Sequence, residues 1–197
     1  AMETARAQIA RSLEASPTEI YFTSGGSESD NWAIKGIAGA KKSEGRHIIT
    51  TKIEHHAVLN SCAYLEKLGY QVTYLDVDAY GLVSPEAVAD AIRPDTTLIS
   101  VMFGNNEIGT IEPVMQIGKI AREHRVLFHT DAVQAYAQLP ISVRQYPVDL
   151  LSASAHKFHG PKGVGFLYVR EGTPLPSFIH GGGQEKGKRA GTENIAG

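Results

Sequence analysis

Val148-Asp149-Leu150-Leu151 runs directly into Ser152-Ala153-Ser154-Ala155-His156-Lys157, an apolar, β-rich run that ends in reactive side chains. The same signature recurs upstream. Ser24-Gly25-Gly26-Ser27 follows the run 19–23, and Glu54-His55-His56 follows 47–51. Asn105-Asn106-Glu107 follows 97–103, and His129-Thr130-Asp131 closes the run that starts at Val126. A further strand is expected over 71–76. Between these runs, 28–40, 57–68, 84–92 and 117–124 carry apolar residues at helical spacing, as do Ala5, Ile9 and Leu13 at the start. Ser84 followed by Pro85 reads as a capped helix start. Strand–helix alternation of this kind predicts a three-layer α/β fold with a mostly parallel sheet. The run 163–169, flanked by short loops, reads as an antiparallel addition. From Glu171 onward Gly and Pro dominate and the pattern dissolves.

Composition narrows the function classes. The 197 residues include 19 Lys plus Arg against 21 Asp plus Glu, a formal charge of −2, which excludes a basic nucleic-acid footprint and a polybasic membrane anchor. A hydrophobic share of 42% suits one globular core. No apolar run has the length of a membrane span, and no signal-peptide pattern opens the chain. The single cysteine, Cys62, excludes an internal disulfide framework and fits a reducing, cytoplasmic setting. The pattern starts and stops abruptly, so 1–197 is expected to be a single-domain piece of a longer protein.

In open α/β sheets ligands bind at the carboxyl ends of the strands, where these polar clusters fall. Glycines 25 and 26 allow close approach of an anion, and the helix behind them offers its positive N-terminus. Ser27 with Asp30 also reads as a capping box. The motif is neither a P-loop nor GxGxxG, and a plain glycine turn is its structural alternative. Lys157, hemmed in by glycines after a buried run, is read as a desolvated amine suited to Schiff-base chemistry, against the alternative of a lysine reaching solvent. Asp131 can pair with a cationic ring nitrogen, as pyridoxal-phosphate chemistry requires, or cap the next segment. Gln134 and Asn106 can orient a ring hydroxyl or simply bond a loop. His55-His56, His156-x-x-His159 and His129-x-Asp131 match no zinc spacing, so no metal is expected. His55 is better used as an aromatic acid–base group over a planar cofactor.

Taken in order, Thr23-Ser24-Gly25-Gly26-Ser27-Glu28-Ser29-Asp30-Asn31, Glu54-His55-His56-Ala57-Val58-Leu59, Asn105-Asn106-Glu107-Ile108-Gly109, His129-Thr130-Asp131-Ala132-Val133-Gln134, Ala155-His156-Lys157-Phe158-His159-Gly160-Pro161-Lys162-Gly163 and Arg189-Ala190-Gly191-Thr192-Glu193-Asn194 resemble the large domain of the cysteine desulfurases, in their NifS/IscS-like branch. The resemblance implies the large-domain fold of the fold-type I transferases and pyridoxal 5'-phosphate as cofactor. It implies that Lys157 bonds the cofactor, that Asp131 pairs with its ring nitrogen and that His55 stacks on the ring. Gln134 and Asn106 would bond ring substituents, and Gly26, Ser27, Ser154 and His156 would hold the phosphate. Thr192 would reach the phosphate of a neighbouring subunit in a homodimer. The implied reaction converts L-cysteine to L-alanine and passes sulfur, through a protein persulfide, to an iron–sulfur scaffold or other acceptor protein. The family's nucleophilic cysteine, its substrate-gripping arginine and its small domain fall outside these residues, so 1–197 alone is expected to be inactive. Two rivals stand beside this reading: a selenocysteine lyase or other C–S or C–Se lyase, and a non-catalytic scaffold of the same fold.

Overall fold

The computed structural model describes residues 1–197 as one seven-stranded sheet sandwiched between two helical layers. The strands are β1 (Ile20–Thr23), β2 (His47–Thr51), β3 (Gln71–Leu75), β4 (Thr96–Ser100), β5 (Leu127–Asp131), β6 (Leu150–Ser154) and β7 (Gly165–Val169). Their order is β1-β7-β6-β5-β4-β2-β3. β3, β2, β4, β5 and β6 run parallel, whereas β7 is antiparallel to both β6 and β1. The short flanks of 163–169 therefore had the structural meaning expected of them.

Alternate side chains of each strand enter opposite layers. Ile49, Ile99, Phe128, Leu151 and Phe166 join α1 (Met2–Leu13), α4 (Pro85–Ala91) and α5 (Val114–Glu123) on one face. Ile48, Leu98, Leu150 and Leu167 meet α2 (Gly26–Ala40) and α3 (His56–Lys67) on the other. Burial on both faces explains why these strands carry adjacent apolar pairs, such as Ile48-Ile49, Leu98-Ile99 and Leu150-Leu151, rather than alternating apolar and polar residues. Cys62 lies fully buried in the α2–α3 layer, beside Val58 and Leu65.

Some boundaries, and the buried stripe of α1, differ from the sequence reading. β4 stops at Ser100, although Val101 and Phe103 still donate from their N–H groups to the carbonyls of His129 (3.2 Å) and Asp131 (2.8 Å). α5 begins at Val114, directly after Pro113. On α1 the buried stripe is Arg6, Ala10 and Leu13. Arg6 is inside because its guanidinium forks onto Glu185, at 2.9 Å to each oxygen. α4 starts as expected, with Ser84 Oγ accepting from Ala87 N at 3.2 Å and Pro85 in first position.

Candidate active site

The carboxyl ends of β1, β2, β4, β5 and β6 open onto one cleft of about 470 Å³. It falls within the size range of small-molecule sites, roughly 300–1,000 Å³. Gly26, Ser27, His55, Asn106, Asp131, Gln134, Ser154, His156 and Lys157 all line it. Thr192 does not; it is exposed and borders an adjoining cavity.

Each wall has a local cause. Gly25 precedes α2 at φ 148 and provides no side-chain cap, so the first N–H groups of the helix are left for a ligand. The backbone is held from behind: Thr23 Oγ1 meets Ser29 Oγ at 2.8 Å and accepts from Gly25 N at 3.3 Å. A Cβ on Gly26 would stand 2.5 Å from Val133 Cγ2, so only glycine lets α2 start against the β5 loop. The capping box expected of Ser27 and Asp30 does not form, because the helix begins two residues earlier than that motif requires and Asp30 turns inward. Ser154 Oγ lies 2.8 Å from His156 Nδ1 on the opposite rim.

Lys157 sits in a 3-10 turn (Ala155–Phe158) after β6, and it is exposed. The expected desolvation of this lysine is therefore absent, because the turn lifts its side chain out of the buried strand. Across the cleft, Asp131 is 5% exposed and its Oδ1 accepts from Val133 N at 2.9 Å. Burial pushes this carboxyl above the usual carboxylate range, against the pull of the Val133 N–H, His55, Asp30 and Lys157. His55 is the N-cap of α3, with Nδ1 accepting from Ala57 N at 3.1 Å, which leaves its proton on Nε2. Donor atoms of Asp30, His55 and Asp131 all lie within 4.8 Å of one another. The paired histidines quoted from the sequence are not what converges here. Asn105, not Asn106, does the loop bonding: its Oδ1 accepts from Glu107 N (2.8 Å) and Ile108 N (3.1 Å), which leaves Asn106 to face the cleft.

Sequence reasoning missed Asp30, Glu28, Met102 and Lys162 as lining residues. It also missed Glu54, whose Oε1 accepts from Thr51 Oγ1 (2.8 Å) and Met102 N (2.9 Å) behind the cleft. Burial pushes Glu54 up to about 8. Glu28, Asp30, Glu54 and Lys162 were visible only as charged residues within motifs whose other members had been given the roles, and Met102 gave no signal beyond an apolar residue late in a strand.

The model of the class-V aminotransferase family matches residues 1–197. Cysteine desulfurase IscS of Methanosarcina thermophila is 59% identical over 197 residues, all of this chain and 49% of that protein. Putative cysteine desulfurase IscS 1 of Bacillus subtilis is 56% identical over 196 residues, 100% of this chain and 52% of that protein. Among solved structures, a NifS-like protein superposes with a TM-score of 0.96 at 47% identity, covering 98% of this chain and 54% of that one. SspA in complex with cysteine superposes at 0.95 and 50% identity, covering 98% and 56%. The chain spans about half the length of the curated relatives it matches. With a three-layer, mostly parallel fold shared almost in full with these structures, and a family match from its first residue to its last, the chain belongs to the class-V aminotransferases.

Proposed function

We propose that residues 1–197 are the pyridoxal-phosphate-binding large domain of a cysteine desulfurase. The observation that carries this reading is one cleft that joins an uncapped helix N-terminus, an accessible lysine and a buried carboxylate. Those three groups suit, in turn, a phosphate, an aldehyde and a protonated ring nitrogen. When bound, pyridoxal 5'-phosphate supplies an electron sink that acidifies the Cα–H of an amino acid.

The chain's own residues divide the work. The N–H groups at Gly26 and Ser27, with Ser154 and His156, which line the cleft, would hold the phosphate oxygens. Lys157 Nζ would bond the aldehyde carbon and, once released, would serve as a base. Asp131 would keep a proton on the ring nitrogen, while Val133 N–H donates to its Oδ1. His55, with its proton on Nε2, would cover the ring face. Asn106 and Gln134 would orient ring substituents.

L-cysteine is the proposed substrate, supported by the names of the relatives and by the cysteine bound to SspA. Alanine is the organic product, and sulfur leaves as a protein persulfide for an iron–sulfur scaffold or other acceptor. The persulfide-forming thiol is not Cys62, whose burial pushes it up to about 12. A homodimer, with Thr192 reaching across to the neighbouring phosphate, completes the proposal. No helix is long and apolar enough to cross a membrane. A cytoplasmic setting accords with the reduced Cys62.

Borohydride reduction in the presence of pyridoxal phosphate, followed by peptide mapping, tests the reading. The label is expected on Lys157. A label on Lys162 or Lys52, or none, overturns it.

A further inference from the structure

Asp30 projects from the second turn of α2 into the cleft and is 1% exposed. Neither Oδ1 nor Oδ2 makes a well-formed hydrogen bond, and the one hydroxyl near enough to favour a charge on Asp30 is that of Ser152. The closest nitrogen given by the geometry is His129 Nε2, at 3.6 Å from Oδ1. That ring is already engaged, with Nδ1 at 2.9 Å from Ser100 Oγ and Nε2 at 2.9 Å from Ser152 Oγ. Burial pushes His129 down to about 3, so it offers no positive charge. An ionised Asp30 would be an uncompensated buried anion beside a second carboxylate, which is the arrangement proteins avoid by keeping one proton on the pair.

We propose that Asp30 is a positioning residue that bears the shared proton of an Asp30–Asp131 pair: as a neutral acid it donates a hydrogen bond to the Asp131 carboxylate, holding Asp131 anionic and oriented toward the cleft. The proton stays on Asp30, and no bond other than the hydrogen bond forms or breaks. Its part in cofactor binding rests on the pyridoxal-phosphate reading above; the location of the proton does not. The groups facing the pair are His129 on β5, Ser152 on β6, Glu54 after β2, His55 at the head of α3 and Lys157 after β6. Burial and then the charge of Asp131 raise Asp30 well above the ordinary carboxylate range, against the pull of the Ser152 hydroxyl, whereas Asp30 is among the groups that draw Asp131 down. Glutamate 54 is itself raised by burial and adds no compensating positive charge.

Two measurements test this. First, a carboxyl 13C NMR titration of the cofactor-free chain, with Asp30 assigned through Asp30→Asn, should find Asp30 still protonated above pH 7. Titration with the exposed aspartates, near about 4, overturns the proposal. Second, pyridoxal phosphate affinity is measured against pH for wild type, Asp30→Asn and Asp30→Leu. The asparagine amide also donates, so its profile should follow wild type. The leucine variant should lose affinity at low pH, its acidic limb moving up by about one pH unit, or tenfold in affinity on that limb. A leucine profile that coincides with wild type, or an asparagine profile as weak as leucine, overturns the positioning role. If Asp30→Leu does not fold, the carboxyl titration and the asparagine profile decide. Failure of wild type to take up cofactor refutes the reading of the cleft, and the titration of the free chain then decides the Asp30 proton by itself.

Discussion

Arg189 grips Glu28 with two hydrogen bonds, Nε to Oε1 at 2.7 Å and Nη2 to Oε2 at 3.1 Å. Glu28 Oε2 also accepts from Ser24 N at 3.0 Å, so one carboxylate fastens the glycine loop to the Arg189–Asn194 motif. Burial opposes the charge on Glu28, but Arg189 and Ser24 outweigh it and hold its carboxyl below the usual range. Arg189→Ala is expected to cost about 1–2 kcal/mol in urea unfolding and to weaken pyridoxal phosphate binding through a looser loop. Arg189→Lys should recover only part of both, because an ammonium cannot form the fork.

Lys157→Ala should abolish borohydride-trapped cofactor and leave the melting temperature near that of wild type. The side chain is exposed and only its backbone carbonyl is used, accepting from Gln138 Nε2 at 3.4 Å. A large loss of stability would show that the lysine holds the turn together rather than waiting for a ligand.

Asp131→Asn preserves an oxygen for the Val133 N–H but cannot keep a proton on a ring nitrogen. Cofactor should remain bound, while exchange of the amino-acid Cα proton, followed by deuterium incorporation, drops on the order of 10²-fold or more. Exchange within a factor of about two of wild type would remove Asp131 from its assigned role.

The Cys62 thiol should resist aromatic disulfide reagents at pH 8 in the folded chain and react at once in denaturant. Cys62→Ser should destabilise the chain by about 1–3 kcal/mol, since a hydroxyl would be buried among Val58, Leu65 and their neighbours. Rapid native-state labelling would contradict the buried, protonated thiol.

Glu54 makes stability depend on pH in a defined direction. Its carboxyl, raised by burial to about 8, holds a proton more tightly in the folded chain than in the unfolded one. Its contribution is therefore full below the unfolded value, about 4.3, and is lost as pH rises through 8. Glu54→Gln should remove roughly 2–4 kcal/mol of that decline between pH 5 and 9. A residual slope is expected from Asp30 and Asp131, which are raised in the same direction. Unfolding curves at several pH values check the difference.

The sheet was legible because β2, β4, β5 and β6 are buried on both faces, which writes them as adjacent apolar pairs set among mostly small or β-branched polar residues, without regular apolar–polar alternation. The cleft was legible because a parallel sheet gathers its strand ends, so polar clusters at Ser24, His55, Asn106, Asp131 and Lys157 had to meet. Asp30 was not, since its spacing from Ser27 imitates a helix cap and the carboxylate it lies beside, Asp131, ends β5, a proximity no local pattern encodes. The exposure of Lys157 was hidden for a similar reason: a 3-10 turn inserted after β6 leaves no periodicity to read.

The reversal of β7 makes β6, the Lys157 turn and β7 a local hairpin, closed by Ala155 N donating to Val164 O at 3.0 Å. Such a unit needs little loop closure and can form early in folding. The glycine loop reaches it only across the whole intervening chain, seating Gly25 so close to β7 that a Cβ on Gly165 would stand 2.6 Å from Gly25 Cα. The cleft is thus complete only when this long-range contact has closed, a step we expect to follow the rate-limiting one. A ligand that bridges loop and hairpin should then slow unfolding in proportion to its affinity and leave the refolding rate unchanged.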